Sequence, residues 1–181
     1  MKASRCLGWL VAALVSVLSV SVSVGQPLLG GVARVNLTPP LEWKYSLGGY
    51  GARMSNPAEG IHDWIWAKAL VMKQGETKFV LVTADILAFP PTFKPKLVER
   101  LKSQGWGSEN ILLLPSHSHA SLDMSAINSS NVLNLPQIGI YDPRLESFVL
   151  DKIEQVIREA SAQLRPVLVG TLVDSLQGLN R

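Results

Sequence analysis

Cysteine is almost missing from this sequence. Cys6 is the only one among 181 residues, so the chain can form no intramolecular disulfide. A nucleophile elbow of the form G-x-S-x-G is absent, which argues against an ordinary serine hydrolase of that type. There is no P-loop and no G-x-G-x-x-G dinucleotide fingerprint. No internal repeat is visible, and no low-complexity tract lies beyond the N-terminal segment. Charge of one sign is also scarce. The formal charge is +3, but two of the 17 basic residues, Lys2 and Arg5, lie in a segment expected to be removed. That leaves 15 basic against 14 acidic residues, and a nearly neutral chain gives no reason to expect nucleic acid as a partner. Histidine is rare too, with three in the whole chain.

The removable segment is "MKASRCLGWLVAALVSVLSVSVSVGQ". A short positive start precedes an apolar run from Leu7 to Val24, and Ser23 and Gly25 are small residues of the kind found before a signal-peptidase cut. Residues 1–25 are therefore read as a secretory signal, with 26–181 as the mature domain, secreted or periplasmic. An uncleaved anchor is the competing reading, since the run is near the spanning minimum. With the signal removed, no stable membrane span is expected. Export without disulfides fits a bacterial periplasm or exterior as well as any other compartment.

Hydrophobic content of 47% and a length sufficient for one real core argue for a globular domain. "GGVARVNLTPP" (30–40) predicts a strand stopped by two prolines. "SLGGYGARMSNPAEG" (46–60) predicts a glycine-rich loop, of a length that is often functional. Residues 61–87 predict a hairpin: a strand over 64–73, a "QGET" turn, and a second strand over 79–84 whose Val80, Leu81 and Val82 suggest burial on both faces. Leu97, Val98 and Leu101 repeat at helical spacing, with Gly105 as the stop. "NILLLP" then predicts another buried strand, and strand, helix, strand in succession suggests a crossover unit. Residues 120–141 look loop-like. The clearest helix is 142–164, with Asp142 as cap, Pro143 at the first helical position and an apolar stripe of Phe148, Ile153, Val156, Ile157 and Leu164. A last strand is expected over 167–180. The fold class is α/β, a mixed β-sheet core flanked by helices.

Two of the three histidines sit in "LLLPSHSHASLD". In an extended segment His117 and His119 would point to one side, at the carboxyl edge of a sheet where α/β folds bind ligands. A His-X-His pair can supply two zinc ligands, or one ligand and a general base. A polar turn with incidental histidines is the competing reading. Asp123 is a further candidate ligand, a hydrogen-bond partner that orients a ligating histidine or, more simply, a loop cap. Asp85 ends a strand at the same edge, where it is either functional or a cap. His62 is better explained as a strand-end histidine packed on Trp64 or Trp66. Arg34 and Arg53 lie near glycines and are candidates for binding an anionic or polar group, though solvated arginines are commoner.

Five segments, taken in order, resemble the N-terminal part of the neutral/alkaline non-lysosomal ceramidases. "GVARVNLTPP" resembles that family's opening G-V-G-R-A-D-I-T-G-P. "LGGYGARMSNPAEGIHDWIWAKALVM" resembles its glycine-tyrosine-glycine loop and the G-I-x-x-R-L-x-A-R-A that follows. "FVLVTADIL" resembles F-V-S-x-D-L/I-G. "NILLLPSHSHAS" resembles V-x-L-S-G-T-H-T-H-S-G-P. "GTLVDSLQGLNR" resembles the strand ending in N-R-S/R-P. The resemblance runs from about Gly31 to Arg181.

That resemblance implies a zinc-dependent hydrolase that splits the amide of ceramide into sphingosine and fatty acid, with a ceramide-like lipid amide as its partner. It makes His117 the zinc ligand, and places His119 beside the nucleophile and reacting amide and Arg181 in the active site. The family's remaining zinc ligands and its serine nucleophile lie downstream of the matched stretch, so the chain is expected to be a partial catalytic domain, inactive alone. The turn after the histidines, "PSHSHASLD", departs from the family pattern. Two other readings stand beside this one: a non-catalytic ceramidase-like binding module, and a metallohydrolase acting on another amide or ester.

Overall fold

The computed structural model describes residues 25–175, 177 and 178. The expected signal segment, apart from its last residue, and Arg181 lie outside the described residues. Five strands form one sheet in the order β4-β3-β2-β1-β5. They are β1 (Leu29–Asn36), β2 (Trp66–Gln74), β3 (Thr77–Ala84), β4 (Ile111–Pro115) and β5 (Arg165–Pro166), with helices α1 (Phe93–Leu101) between β3 and β4 and α2 (Pro143–Ala162) before β5. The β2–β3 hairpin turns through Gly75 and Glu76, with Gln74 opposite Thr77, and β1 lies antiparallel to β2 along its whole length. β4 runs parallel to β3 after the α1 crossover. The sheet is mixed, as the sequence predicts.

Both helices cover the same face. Val35, Ala67, Ala69, Val71, Val80, Val82 and Ile111 point into it and meet Phe93, Leu97 and Leu101 of α1 and Val149, Ile153, Val156 and Ile157 of α2, all buried. α2 begins at Asp142, whose carboxylate accepts from the Arg144 N–H at 2.9 Å, with Pro143 at the first helical position. α2 approaches β1 so closely that a Cβ on Gly31 would lie 2.1 Å from the Ala160 carbonyl oxygen, which explains the second glycine of "LGGVAR".

The opposite face is open, and this corrects two expectations. β3 is buried on one face only: Val80 and Val82 are inside, while Leu81 is half-buried on the other side. β4 is an edge strand, with Leu112 49% and Leu114 41% exposed, rather than the buried strand expected. Val32, Leu70 and Leu81 continue this apolar face toward the cross-strand pair Arg34 and Lys68, and with Leu114 they line a shallow hollow of about 660 Å³. The strand expected over 167–180 is not found among its described residues, and a two-residue strand precedes it instead. Only Arg165 and Pro166 pair with β1; one further bond, Val167 N–H to the Leu28 carbonyl, follows at 3.0 Å. Residues 167–175 have no ladder, and Leu168, Leu172 and Val173 are fully or almost fully exposed. The chain there runs past the end of β1, so strand propensity has no neighbour to pair with. No helix among the described residues is long and apolar enough to cross a membrane.

Candidate functional site

The parallel β3–β4 pair ends in two short tails that carry polar groups to the same edge. The Ser116 N–H donates to the Ala84 carbonyl at 2.9 Å, extending the ladder by one residue. Asp85 finishes β3 structurally. Its carboxylate accepts from the Trp66 N–H at 2.9 Å, and its own N–H donates to the Trp66 carbonyl at 2.9 Å. Of the two readings offered for this carboxylate, these bonds describe a strand-end cap.

His117 follows in a left-handed backbone conformation, φ +58°, unusual for a residue with a Cβ and typical of functional or tightly determined positions. The segment is therefore not the simple extended run that would alternate side chains, yet the two imidazoles still meet: the His117 and His119 rings stand 5.1 Å apart at 64°. His117 Nδ1 lies 3.0 Å from the Leu87 carbonyl oxygen. A carbonyl can only accept, so Nδ1 carries a proton, and in the neutral imidazole Nε2 holds the free lone pair on an exposed ring. That is how a metal-ligating histidine is commonly fixed.

His119 is enclosed by the glycine-rich loop. That loop is stitched to the chain beyond the histidines: Leu47 bridges Leu122, and the Gly48 N–H donates to the Ser121 carbonyl at 3.0 Å. Gly49, at φ +93°, lies against the imidazole. The Tyr50 ring meets it edge-on at 4.7 Å. Arg53 Nη1 donates to the Gly48 carbonyl at 3.1 Å and to the His119 carbonyl at 2.5 Å, and its guanidinium lies 4.8 Å over Tyr50. His119 Nδ1 is buried without a hydrogen-bond partner among the described residues.

Of the other sequence candidates only Arg53 touches the pair, through the His119 carbonyl. Asp123 is a turn cap: its Oδ1 accepts from the Ser125 N–H at 2.7 Å, and burial pushes its carboxyl above the ordinary carboxylate range. His62 is not packed on a tryptophan. Its side chain is 97% exposed and pairs with Asp63 at 2.7 Å, because the segment before β2 bows outward into solvent. Arg34 stacks its guanidinium 4.7 Å from the Trp66 ring on the open sheet face. Arg53 is occupied by main-chain carbonyls. A cavity of about 500 Å³ adjoins the pair, lined in part by Ser116, Ser118, Ala120, Asp85 and Ile65. Ser116, Ser118 and Ala120 alternate with the histidines, which lie off this cavity.

A zinc site normally takes three or four protein ligands. Among the described residues no group of three histidine, cysteine, aspartate or glutamate side chains converges to hold a metal. The donor set nevertheless fits part of such a site, two neighbouring imidazoles with one already fixed through Nδ1. Gly49, Tyr50 and the Leu87 carbonyl carry no signal of their own in residue chemistry. Only the glycine-tyrosine-glycine pattern of the loop points to the first two.

The family model for neutral/alkaline non-lysosomal ceramidase, N-terminal, matches residues 29–180. The neutral ceramidase of Pseudomonas aeruginosa is similar in structure, with a TM-score of 0.67 at 24% identity over 78% of this chain. A ceramidase complexed with C2 is similar with a TM-score of 0.64, also at 24% identity over 78% of this chain. No curated protein matches the sequence. The chain spans 22% of the length of each of those solved chains, so the likeness establishes a partial ceramidase fold. On the family match over residues 29–180, the chain belongs to the neutral/alkaline non-lysosomal ceramidases, in their N-terminal part.

Proposed function

We propose that this chain carries one part of the active site of an exported zinc-dependent amidohydrolase acting on ceramide or a related N-acyl lipid. The observation that carries the proposal is the state of His117: Nδ1–H held by the Leu87 carbonyl, Nε2 free at the edge of the sheet. His117 would be the zinc ligand. When bound, zinc supplies Lewis-acid polarisation of a carbonyl or a water. His119, whose ring adjoins His117, would move a proton between nucleophile and leaving amine. Arg181 would stabilise negative charge developing on the reacting carbonyl oxygen. In the net reaction, water adds across the amide C–N bond, releasing a fatty acid and a sphingoid base.

The 22% of the solved ceramidases' length that this chain spans favours a partial site. The purified chain, residues 26–181, assayed for release of fatty acid from a fluorescent N-acyl sphingosine, is expected to give none with or without zinc. Measurable turnover would contradict the partial-site reading. The same assay on the complete gene product tests the activity itself. Hydrolysis lost in both His117→Ala and His119→Ala is expected. Zinc binding without hydrolysis of any lipid amide would favour the non-catalytic module, and preference for a soluble amide or ester would move the substrate class.

A further inference from the structure

A histidine that moves protons usually has its second ring nitrogen engaged, since that bond fixes both orientation and tautomer. His117 has such a bond through Leu87. His119 has none: its Nδ1 is enclosed and unpartnered among the described residues. The ring is held by contact instead. Gly49 leaves it room on one side, since a Cβ at that position would come within 2.3 Å of Cγ, and Tyr50 and His117 meet it at ring distances of 4.7 and 5.1 Å.

One side chain ties these contacts together. Arg53 grips the His119 carbonyl and the Gly48 carbonyl with the same nitrogen and lies over the face of Tyr50. A planar guanidinium suits this arrangement, because it can donate in its plane while stacking across it. We infer that Arg53 is the positioning residue of His119, acting on its main chain directly and on its ring through Tyr50, in place of the acceptor that Nδ1 lacks. The sequence makes Arg53 a candidate binder of anionic or polar groups; its geometry gives it this other role. With Nδ1 enclosed, Nε2 is the nitrogen left for reactants. The catalytic weight of this role rests on the proposed function, but the positioning itself does not.

The chain's three histidines make a direct test practical, with solvent-exposed His62 as internal reference. In the 181-residue chain without metal or substrate, nuclear Overhauser effects between the Tyr50 and His119 rings report their contact. Three-bond couplings report whether His119 keeps one χ1 rotamer. Arg53→Gln is expected to lose the Tyr50–His119 effects and average the couplings, with the His62 signals unmoved. A folded Arg53→Gln chain that keeps both overturns the inference; a purely structural arginine would lower stability and leave His119 fixed. Should Arg53→Gln fail to fold, Tyr50→Leu removes the ring between guanidinium and imidazole while sparing the main-chain bonds. Averaged His119 couplings are then expected, and a single retained rotamer overturns the inference. No turnover enters these readouts, so their failure leaves the ceramidase reading standing, and a failed hydrolysis assay leaves the positioning role standing.

Discussion

The imidazole of His119 occupies the space that a side chain at position 49 would need: a Cβ on Gly49 would lie 2.3 Å from His119 Cγ and Nδ1. Gly49 also adopts φ +93°, a conformation that disfavours any Cβ. Gly49→Ala is therefore expected to displace the His119 ring and to cost about 1–3 kcal/mol of stability from backbone strain. Chemical denaturation and the His119 imidazole resonances check this. A variant of wild-type stability with unmoved His119 signals would contradict the packing described.

The cap of α2 gives a second prediction. Hydrogen bonding from Arg144 holds the Asp142 carboxyl below the ordinary carboxylate range. Its contribution is thus present above the unfolded carboxyl pKa, about 3.9, and is lost as pH falls through the lower folded value. Asp142→Ala is expected to cost about 1 kcal/mol at pH 7, with the difference from wild type shrinking in strong acid. A pH-independent difference would show that the carboxylate charge is irrelevant to the cap.

Asp123 titrates in the opposite sense. Burial raises its folded pKa, so its stabilising contribution is complete below the unfolded value, about 3.9, and is lost as pH rises through the folded one. Asn keeps an oxygen for the Ser125 N–H without the charge. Asp123→Asn is expected to be at least as stable as wild type at pH 7, with the gap closing toward pH 3. Thermal denaturation across that range checks it, and a variant markedly less stable at pH 7 would mean that the charged carboxylate is required.

The open sheet face should bind apolar probes. Exposed contiguous apolar surface of this kind is uncommon on isolated domains, and Arg34 and Lys68 beside Val32, Leu70, Leu81 and Leu114 suit an anionic dye. The folded chain is expected to enhance anilinonaphthalene sulfonate fluorescence, and Leu81→Lys to reduce that enhancement several-fold without loss of helix signal. Equal enhancement in both proteins would place the dye elsewhere.

Much of this architecture follows from local signals. The 3.6-residue stripe and capping of α2, the hairpin turn and the α1 crossover all depend on neighbours close in sequence, so they can be read directly. Burial of Leu81 and Leu112 cannot, because an all-apolar strand reads the same whether one face is covered or two. Residues 167–175 show the same limit: strand propensity needs a partner, and the pairing with β1 stops at Pro166. At the site, the His117–His119 pairing is expected from an extended segment, but the rings meet through a different backbone. The αL turn at His117 is not legible in the sequence, and neither is the Gly49–Tyr50–Arg53 clasp, whose Arg53 lies 66 residues upstream of His119.

The most direct test of the zinc-site account is the zinc affinity of the chain, measured by competition with a chromophoric chelator for wild type, His117→Ala and His62→Ala. One weakly held equivalent is predicted, with affinity lowered at least about tenfold by His117→Ala and unchanged by His62→Ala. Zinc affinity that His117→Ala leaves unchanged would contradict the account.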